Sequence, residues 1–349
     1  MTLPALGVVI VSFNSSDVIL DCLESLLAAR DVRLLISVVD NDSTDDTVTV
    51  LKDWAAGRSG YAAPTDVPFS WDATPKPVTL YGPGDRLPAE GHCITLIETG
   101  VNGGFAAGVN RGLSHLAGLP ELDRFWVLNP DSVVAPGAAR AFATASAGFG
   151  LMGGRLIYLA DTSDRIQLDG GYVKWTTGVT GNVNQFKPHD TTPPPDPTAL
   201  DFITGASMVV SRAFYEAVGP MREDYFLYYE EVDWALRRGA LPLAYCPEAF
   251  VYHRAGTAIG SPSIGRPASP FSLYFKHRGR MLFLRRFRPW SLPIGLVYSL
   301  YKAGQLAAKG HGLEAWTIMA GSLNLPPPSS VRSRLSPEAR ALAFGRTAS

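Results

Sequence analysis

The sequence predicts an α/β fold of the doubly wound type, and three observations carry that expectation. Short apolar, β-branched runs recur at 6–13, 34–39, 93–98 and 125–128, each bounded by turn formers. Runs of this kind read as buried parallel strands. Stretches with apolar residues at helical spacing lie between them. Polar carboxyl-bearing clusters then follow the apolar runs: Asp40-Asn41-Asp42 after the second, and Asn129-Pro130-Asp131 after the fourth. In open α/β sheets, ligands gather outside the carboxyl ends of the strands.

The elements follow in order. Leu6 to Phe13 is the first strand, and Asn14-Ser15-Ser16 is a turn and cap. Val18, Ile19, Cys22, Leu23, Leu26 and Leu27 give Asp17 to Ala29 an amphipathic helical pattern. Leu34 to Val39 is the second strand, and Ser43 with Asp46 resembles a capping box for a helix reaching Trp54. From 57 to 91 prolines and glycines interleave without periodicity, which reads as a surface insertion. Cys93 to Glu98 resumes the strand pattern, followed by a glycine-rich turn and a helix from about Phe105 to Leu116. Phe125 to Leu128 is another strand. Gly153 to Tyr158, Arg165 to Leu168, Tyr172 to Thr176 and Ala244 to Tyr252 are further strands, with a helix opening at Val232. After Gly260 the texture turns basic, aromatic and helical, and from Pro326 the Pro-, Ser- and Arg-rich end reads as disordered.

Bulk properties narrow the function. A chain of 349 residues can bury a full core, and its net charge of −1 offers no general attraction for nucleic acid. Three scattered cysteines, Cys22, Cys93 and Cys246, form no CxxC pair, which argues against a zinc site or disulfide framework. The start lacks a basic n-region, so no signal peptide is expected and the location is read as cytoplasmic. No apolar stretch reaches the ~18 residues that a spanning helix requires.

The chemistry sits in four places. Asp131, pinned by Pro130 at a strand end, suits a hard cation that takes one or two carboxylates and fills its shell with phosphate oxygens; the competing role is a helix cap. His253 ends an apolar strand, where imidazole can complete a metal shell or serve as a structural hydrogen bonder. Tyr228-Tyr229-Glu230-Glu231-Val232-Asp233 packs three acids into four residues beneath aromatics. Repulsion and desolvation there raise at least one pKa toward a value useful to a base. Asp233 and Arg237, four apart, suit a structural pair. Asn102 to Gly112 is a glycine-rich strand-to-helix junction whose amides can approach an anion, and it is neither GxGxxG nor a P-loop.

Taken in order, Val11-Ser12-Phe13-Asn14, Val38-Val39-Asp40-Asn41, Asn102 to Gly112, Leu128-Asn129-Pro130-Asp131, Thr204-Gly205-Ala206, Tyr228 to Arg237 and Tyr252-His253-Arg254 resemble the family 2 glycosyltransferases, in their rhamnosyltransferase-like branch. The resemblance covers about residues 5 to 290. It implies a GT-A fold, a three-layer α/β/α nucleotide-diphospho-sugar transferase with a mixed sheet, here followed by a C-terminal helical segment. With the changes in texture, the chain divides into a catalytic domain over 1–260, a basic and aromatic helical region over 261–325, and a tail over 326–349. The resemblance implies an inverting mechanism using Mg²⁺ or Mn²⁺. By resemblance, Ser12, Asn14, Asp40, Asn102, Gly104, Asn110, Asn129 and Asp131 bind the nucleotide-sugar, and Asp131 and His253 hold the metal. Glu231 is the base, with Gly205, Ala206 and Glu230 on the acceptor side. The implied donor is a nucleotide-sugar, with dTDP-rhamnose favoured, and the implied acceptor a glycan or lipid-linked hydroxyl in cell-surface polysaccharide synthesis.

Basic residues from Lys276 to Arg288 alternate with Phe275, Phe283, Phe287 and Trp290, which offers peripheral membrane contact through 275–290 or a helix packed on the catalytic body. Nucleic acid is not an expected partner. Two other functions stay open: a sugar-nucleotide pyrophosphorylase, whose basic phosphate loop Val8 to Ser16 lacks, and a non-catalytic nucleotide-sugar-binding protein.

Overall fold

The computed structural model describes residues 3–159, 164–254 and 268–345. The first half runs β1 (Ala5–Ser12), α1 (Ile19–Leu27), β2 (Arg33–Asp40), α2 (Thr47–Ala55), β3 (Leu80–Tyr81), β4 (Cys93–Glu98), α3 (Phe105–Ala117), β5 (Arg124–Leu128), β6 (Ser132–Val134) and α4 (Ala138–Thr144). Then come β7 (Leu151–Tyr158), β8 (Ile166–Leu168), β9 (Gly171–Lys174), β10 (Val179–Asn182), β11 (Ser207–Ser211), α5 (Arg212–Val218), α6 (Glu230–Leu236) and β12 (Leu243–His253). Five helices close the chain: α7 (Pro270–Phe287), α8 (Leu292–Ala308), α9 (Gly312–Ser322), α10 (Ser329–Arg332) and α11 (Pro337–Phe344).

One mixed sheet organises the molecule in the order β3-β4-β2-β1-β5-β11-β7-β12-β6, with β8 on β7. Strands β3, β4, β2, β1 and β5 are parallel, β11 runs antiparallel between β5 and β7, and β12 is parallel to β7. The pleat of β1 explains the layers. Leu6, Val8 and Ile10 point into a core shared with α1, α2 and α4, while Val9 joins a core with α3, α6 and α7. The expected three-layer arrangement with a mixed sheet is what forms.

Local readings hold with adjustments. Helix α1 is shorter than the Asp17–Ala29 pattern, and Ser15 accepts from the amides of Val18 and Ile19 through its backbone carbonyl. The capping box at Ser43 does not form. Helix α2 starts after Asp46 without a side-chain cap, because the Ser43 hydroxyl donates to Asp40 Oδ1 at 2.6 Å. The 57–91 insertion holds only β3 as regular structure. It is tied down from within: Glu24 of α1, fully buried, accepts from Trp54 Nε1, the Thr74 amide and Lys76 Nζ, each at 2.7 Å.

The C-terminal third departs most from expectation. Within α7 most of the alternating basic and apolar residues are packed against the body, although Lys276 and Arg285 are exposed. Phe275, Phe283 and Leu284 are buried, and so are Arg278 and Arg280. Arg278 donates to the carbonyls of Asp224 and Tyr225 and to Asn324 Oδ1, and Arg280 to the carbonyls of Thr177 and Gly295 and to the Ser299 hydroxyl. Guanidinium groups with such full donor satisfaction serve as struts. The segment read as disordered from Pro326 instead carries α10 and α11, and Val331, Ala339 and Ala343 of these helices, with Leu335 between them, pack on Phe226, Leu227, Phe271 and Phe275. The region read as basic, aromatic and helical after Gly260 carries α7, α8 and α9 where it is described, and its first residues, 261–267, lie outside the described residues.

Candidate active site

The carboxyl ends of β1, β2, β5 and β12 meet at one cavity of about 570 Å³. It is lined by Phe13 and Ser15 after β1, Asn41 after β2, and Asn102 and Gly104 ahead of α3. Its floor is Asn129, Pro130, Asp131 and His253, and its far wall is Gly205, Ala206, Glu230, Glu231 and Lys276. The residues read from sequence as metal-holding and basic therefore share one cleft, at the sheet edge where the topology places ligands.

Sheet register brings Asp131 and His253 together. His253 ends β12 opposite Ser132 of β6, the residue after Asp131. Its Nε2 lies 2.9 Å from Asp131 Oδ1 and 3.2 Å from Asn129 Nδ2, while its Nδ1 lies 2.8 Å from Gln167 Oε1. A proton on Nδ1, shared with Gln167, leaves the Nε2 lone pair turned toward a carboxylate. Two acceptors in contact call for a proton or a cation between them. The arrangement suits a hard divalent ion: an oxygen and an imidazole from the protein, a second group orienting the imidazole, and the remaining positions open to phosphate and water. Among the described residues no group of three or more His, Cys, Asp or Glu is arranged to hold a metal ion.

The acid cluster opens α6. Phe226, Tyr228 and Tyr229 all have positive φ, so the chain makes an unusual approach before the helix begins. The approach is held by Gly104, whose φ is +86°. A Cβ there would lie 2.2 Å from the Phe226 carbonyl, which accepts the Phe105 amide at 2.9 Å. The glycine-rich junction thus docks the acid loop against α3. Glu230 is buried with Oε2 lacking a hydrogen-bond partner, and burial, then its neighbour Glu231, raises its pKa well above the carboxylate range. Glu231 reaches the cavity. Desolvation raises its pKa as well, opposed by the amides of the helix start and by the charge of Lys276. Burial lowers the pKa of Lys276, and Glu231 counters that shift. Asp233 points the other way. It accepts from Arg237 Nε at 2.7 Å and Tyr225 Oη at 3.0 Å, the expected structural pair.

Four of the named residues, Ser12, Asn14, Asp40 and Asn110, do not line the cavity. Asp40 accepts from the Ser12 and Ser43 hydroxyls and from the Ser43 amide, closing the turn after β2. Asn14, at φ 51°, accepts from the amides of Thr44 and Asp45. Asn110 clasps Met221 through both backbone groups and reaches Glu223, bracing the segment before α6. The neighbour Asn41 faces inward instead, donating to Asn102 Oδ1 at 3.1 Å and the Gly104 carbonyl at 2.9 Å. Sequence reading passed over Asn41, Gln167 and Lys276. Asn41 carried a signal, since successive residues past a strand end point to opposite sides. Gln167 and Lys276 carried none, because distant segments deliver them.

Comparisons with known proteins bear on the family and the fold. The family model described as glycosyl transferase family 2 matches residues 7–62. An N-acetylglucosaminyl-diphospho-decaprenol L-rhamnosyltransferase of Mycobacterium tuberculosis is 26% identical over 240 residues, covering 62% of this chain and 75% of the relative. The crystal structure of GalNAc-T7 with UDP, GalNAc and Mn²⁺ superposes with a TM-score of 0.53 at 12% identity, over 87% of this chain. This chain spans 51% of that one, and the likeness concerns the fold. The chain is thus similar in sequence to family 2 glycosyltransferases, a rhamnosyltransferase among them, and takes the GT-A fold.

Proposed function

We propose that the chain is an inverting glycosyltransferase that moves a sugar from a nucleotide diphosphate to an acceptor hydroxyl, with rhamnose from dTDP-rhamnose the favoured donor. The observation that carries it is the convergence of Asp131 and His253 with Glu230 and Glu231 on one cavity at the strand ends. Rhamnose rests on the relative named a rhamnosyltransferase. That relative's name also favours a lipid-linked sugar as acceptor, in cell-surface polysaccharide synthesis.

On this reading residues 1–260 are the catalytic domain, and α7 closes the cavity with Lys276 and Phe271. Asn41 and Asn102 hold the nucleotide end. Asp131 and His253 would hold Mg²⁺ or Mn²⁺, which when bound neutralises charge on the leaving diphosphate. Glu230 keeps its proton, because its carboxyl is buried and lies beside that of Glu231. Glu231, supported by the α6 amides and Lys276, is the anion of the pair. It accepts the proton of the acceptor hydroxyl as that oxygen attacks the anomeric carbon. The bond to the diphosphate oxygen breaks on the opposite face, so the centre inverts in one displacement.

Thermal-shift titration against a nucleotide-sugar panel, with and without Mn²⁺, tests this. Mn²⁺-dependent stabilisation by dTDP-rhamnose that Asp131→Ala abolishes is the expected result. Equal stabilisation of the variant would remove the metal assignment, and stabilisation by another sugar nucleotide would replace the donor.

A further inference from the structure

We infer that the exposed face of the α8–α9 hairpin docks on a lipid bilayer surface carrying anionic headgroups. The inference stands on this hairpin and does not depend on the donor chemistry.

Helix α8 is amphipathic in the reverse of the usual sense. Its inward residues are small: Gly295, Ser299 and Ala303, spaced at four, are buried. Its outward residues are large and apolar. Trp290 just before it is 71% exposed, Val297 63% and Tyr301 60%, with Ile294 and Leu300 also exposed. Ile294, Val297 and Tyr301 follow a 3-4 spacing, so they share one side of the helix, and Trp290 stands exposed in the turn that leads into it. Helix α9, packed beside α8, adds exposed Leu313 and Trp316, with exposed Leu323 just past its end. Scattered surface apolar residues are ordinary, whereas a helix that buries its small side and presents its large one is built to meet another apolar phase.

The hairpin is held rigidly in that orientation. Arg280 of α7 donates to the Gly295 carbonyl at 3.1 Å and to the Ser299 hydroxyl, and Ser299 bonds Ser322 of α9 at 2.6 Å. A Cβ on Gly295 would lie 2.5 Å from Leu284 Cδ1, so α8 seats tightly on α7. Burial, then Arg280, presses His277 down to about 3, so this polar seam gains no charge on protonation at ordinary pH.

Charge chooses the partner. From Arg288 to Ser322 the cations are Arg288, Lys302 and Lys309, and the one acid is Glu314. Arg288 lies 5.8 Å from the Trp290 ring, and Lys302 Nζ lies 5.9 Å from that of Tyr301, placing positive groups beside the aromatics. A two-fold contact with a second copy would set this cationic face against itself with little acid to pair. An anionic leaflet matches it, with Trp and Tyr rings at headgroup depth and the cations reaching phosphate. Among the described residues no helix is long and apolar enough to cross a membrane, so the hairpin lies on the surface.

The test is flotation of the full chain with vesicles of phosphatidylcholine alone and with an equal part of phosphatidylglycerol. Expected is roughly tenfold or stronger binding to the anionic vesicles. Val297→Asp with Trp316→Asp should abolish flotation while leaving the melting temperature and turnover on a water-soluble acceptor unchanged. Lys302→Glu with Lys309→Glu should erase the preference for phosphatidylglycerol. Should the aspartates unfold the chain, Val297→Ser with Trp316→Ser reports the same loss. Equal binding to both vesicle types, no binding by the native chain, or undiminished flotation of the folded variants would overturn the proposal. So would a native dimer that Val297→Asp converts to monomer without any vesicle binding.

Discussion

Two buried glutamate sites, each with a lysine from a distant segment, show how this fold separates scaffold from chemistry. Glu24 has three close donors around it. Burial alone would push its pKa up, yet Lys76, the Thr74 amide and Trp54 outweigh that and hold it below the usual range. The Glu230–Glu231 site has the same residue types and the opposite outcome. Desolvation raises both carboxyls, Glu230 Oε2 has no partner, and Lys276 moderates only Glu231. A buried carboxylate whose lone pairs are filled anchors a loop. One left short of donors holds its proton, or gives it up, at a pH where a reaction can use it.

The largest expected effect breaks the second site. Glu231→Gln should lower turnover by about 10²–10⁴-fold, the usual worth of a general base, while nucleotide-sugar affinity stays near native. Steady-state kinetics beside calorimetric titration checks both halves; native turnover would strip Glu231 of its role. The matching cut at the first site acts on stability. Lys76→Met leaves Glu24 charged, buried and short of a donor, and should cost about 3 kcal/mol in chemical denaturation near neutral pH. The sign with pH follows from the lowered pKa of Glu24. Its stabilising contribution is present above the ordinary glutamate range and fades as pH falls through the depressed folded value. The gap between native and Lys76→Met should therefore shrink on acidification. A constant gap would mean that Lys76 acts only through packing over the Trp54 ring, 4.0 Å from its Nζ.

The same contrast explains what could be read before folding. The parallel strands and their terminal acids were legible because period and burial are local: β4 begins and ends at the residues the pattern marks. Asp131, His253 and Glu231 were legible because each sits at the end of its own apolar run. Their meeting depends on β12 returning beside β6, a register that no local pattern encodes. Asp40 and Asn41 show the resolution limit, since one residue's difference at a strand end decides which side chain meets the cavity. Helix α7 shows the deeper one. Its basic residues look solvated in one dimension, but carbonyls from Thr177, Asp224 and Gly295, far apart in sequence, receive them. The tail misled for a related reason: its composition is that of an unfolded chain, yet Val331, Leu335, Ala339 and Ala343 find a receptive aromatic cluster.

Smaller effects sharpen the comparison within the pair. Lys276 holds Glu231 below where desolvation alone would leave it. Lys276→Met should move the acid limb of the kcat/KM profile to higher pH, with the alkaline plateau largely kept. A lower plateau with an unmoved limb would instead assign Lys276 to ligand binding or structure. The smallest effect belongs to Glu230. Its folded pKa is raised, so the contribution of its neutral form is complete below the unfolded value and is lost as pH rises toward the folded one. Glu230→Gln stays neutral throughout and escapes that loss. Its melting temperature should exceed the native one at about pH 8 and converge with it near about pH 4, where both side chains are uncharged. A gap of constant size would show that Glu230 is already ionised in the folded protein. The proton would then belong to Glu231, and the roles of the two glutamates would exchange.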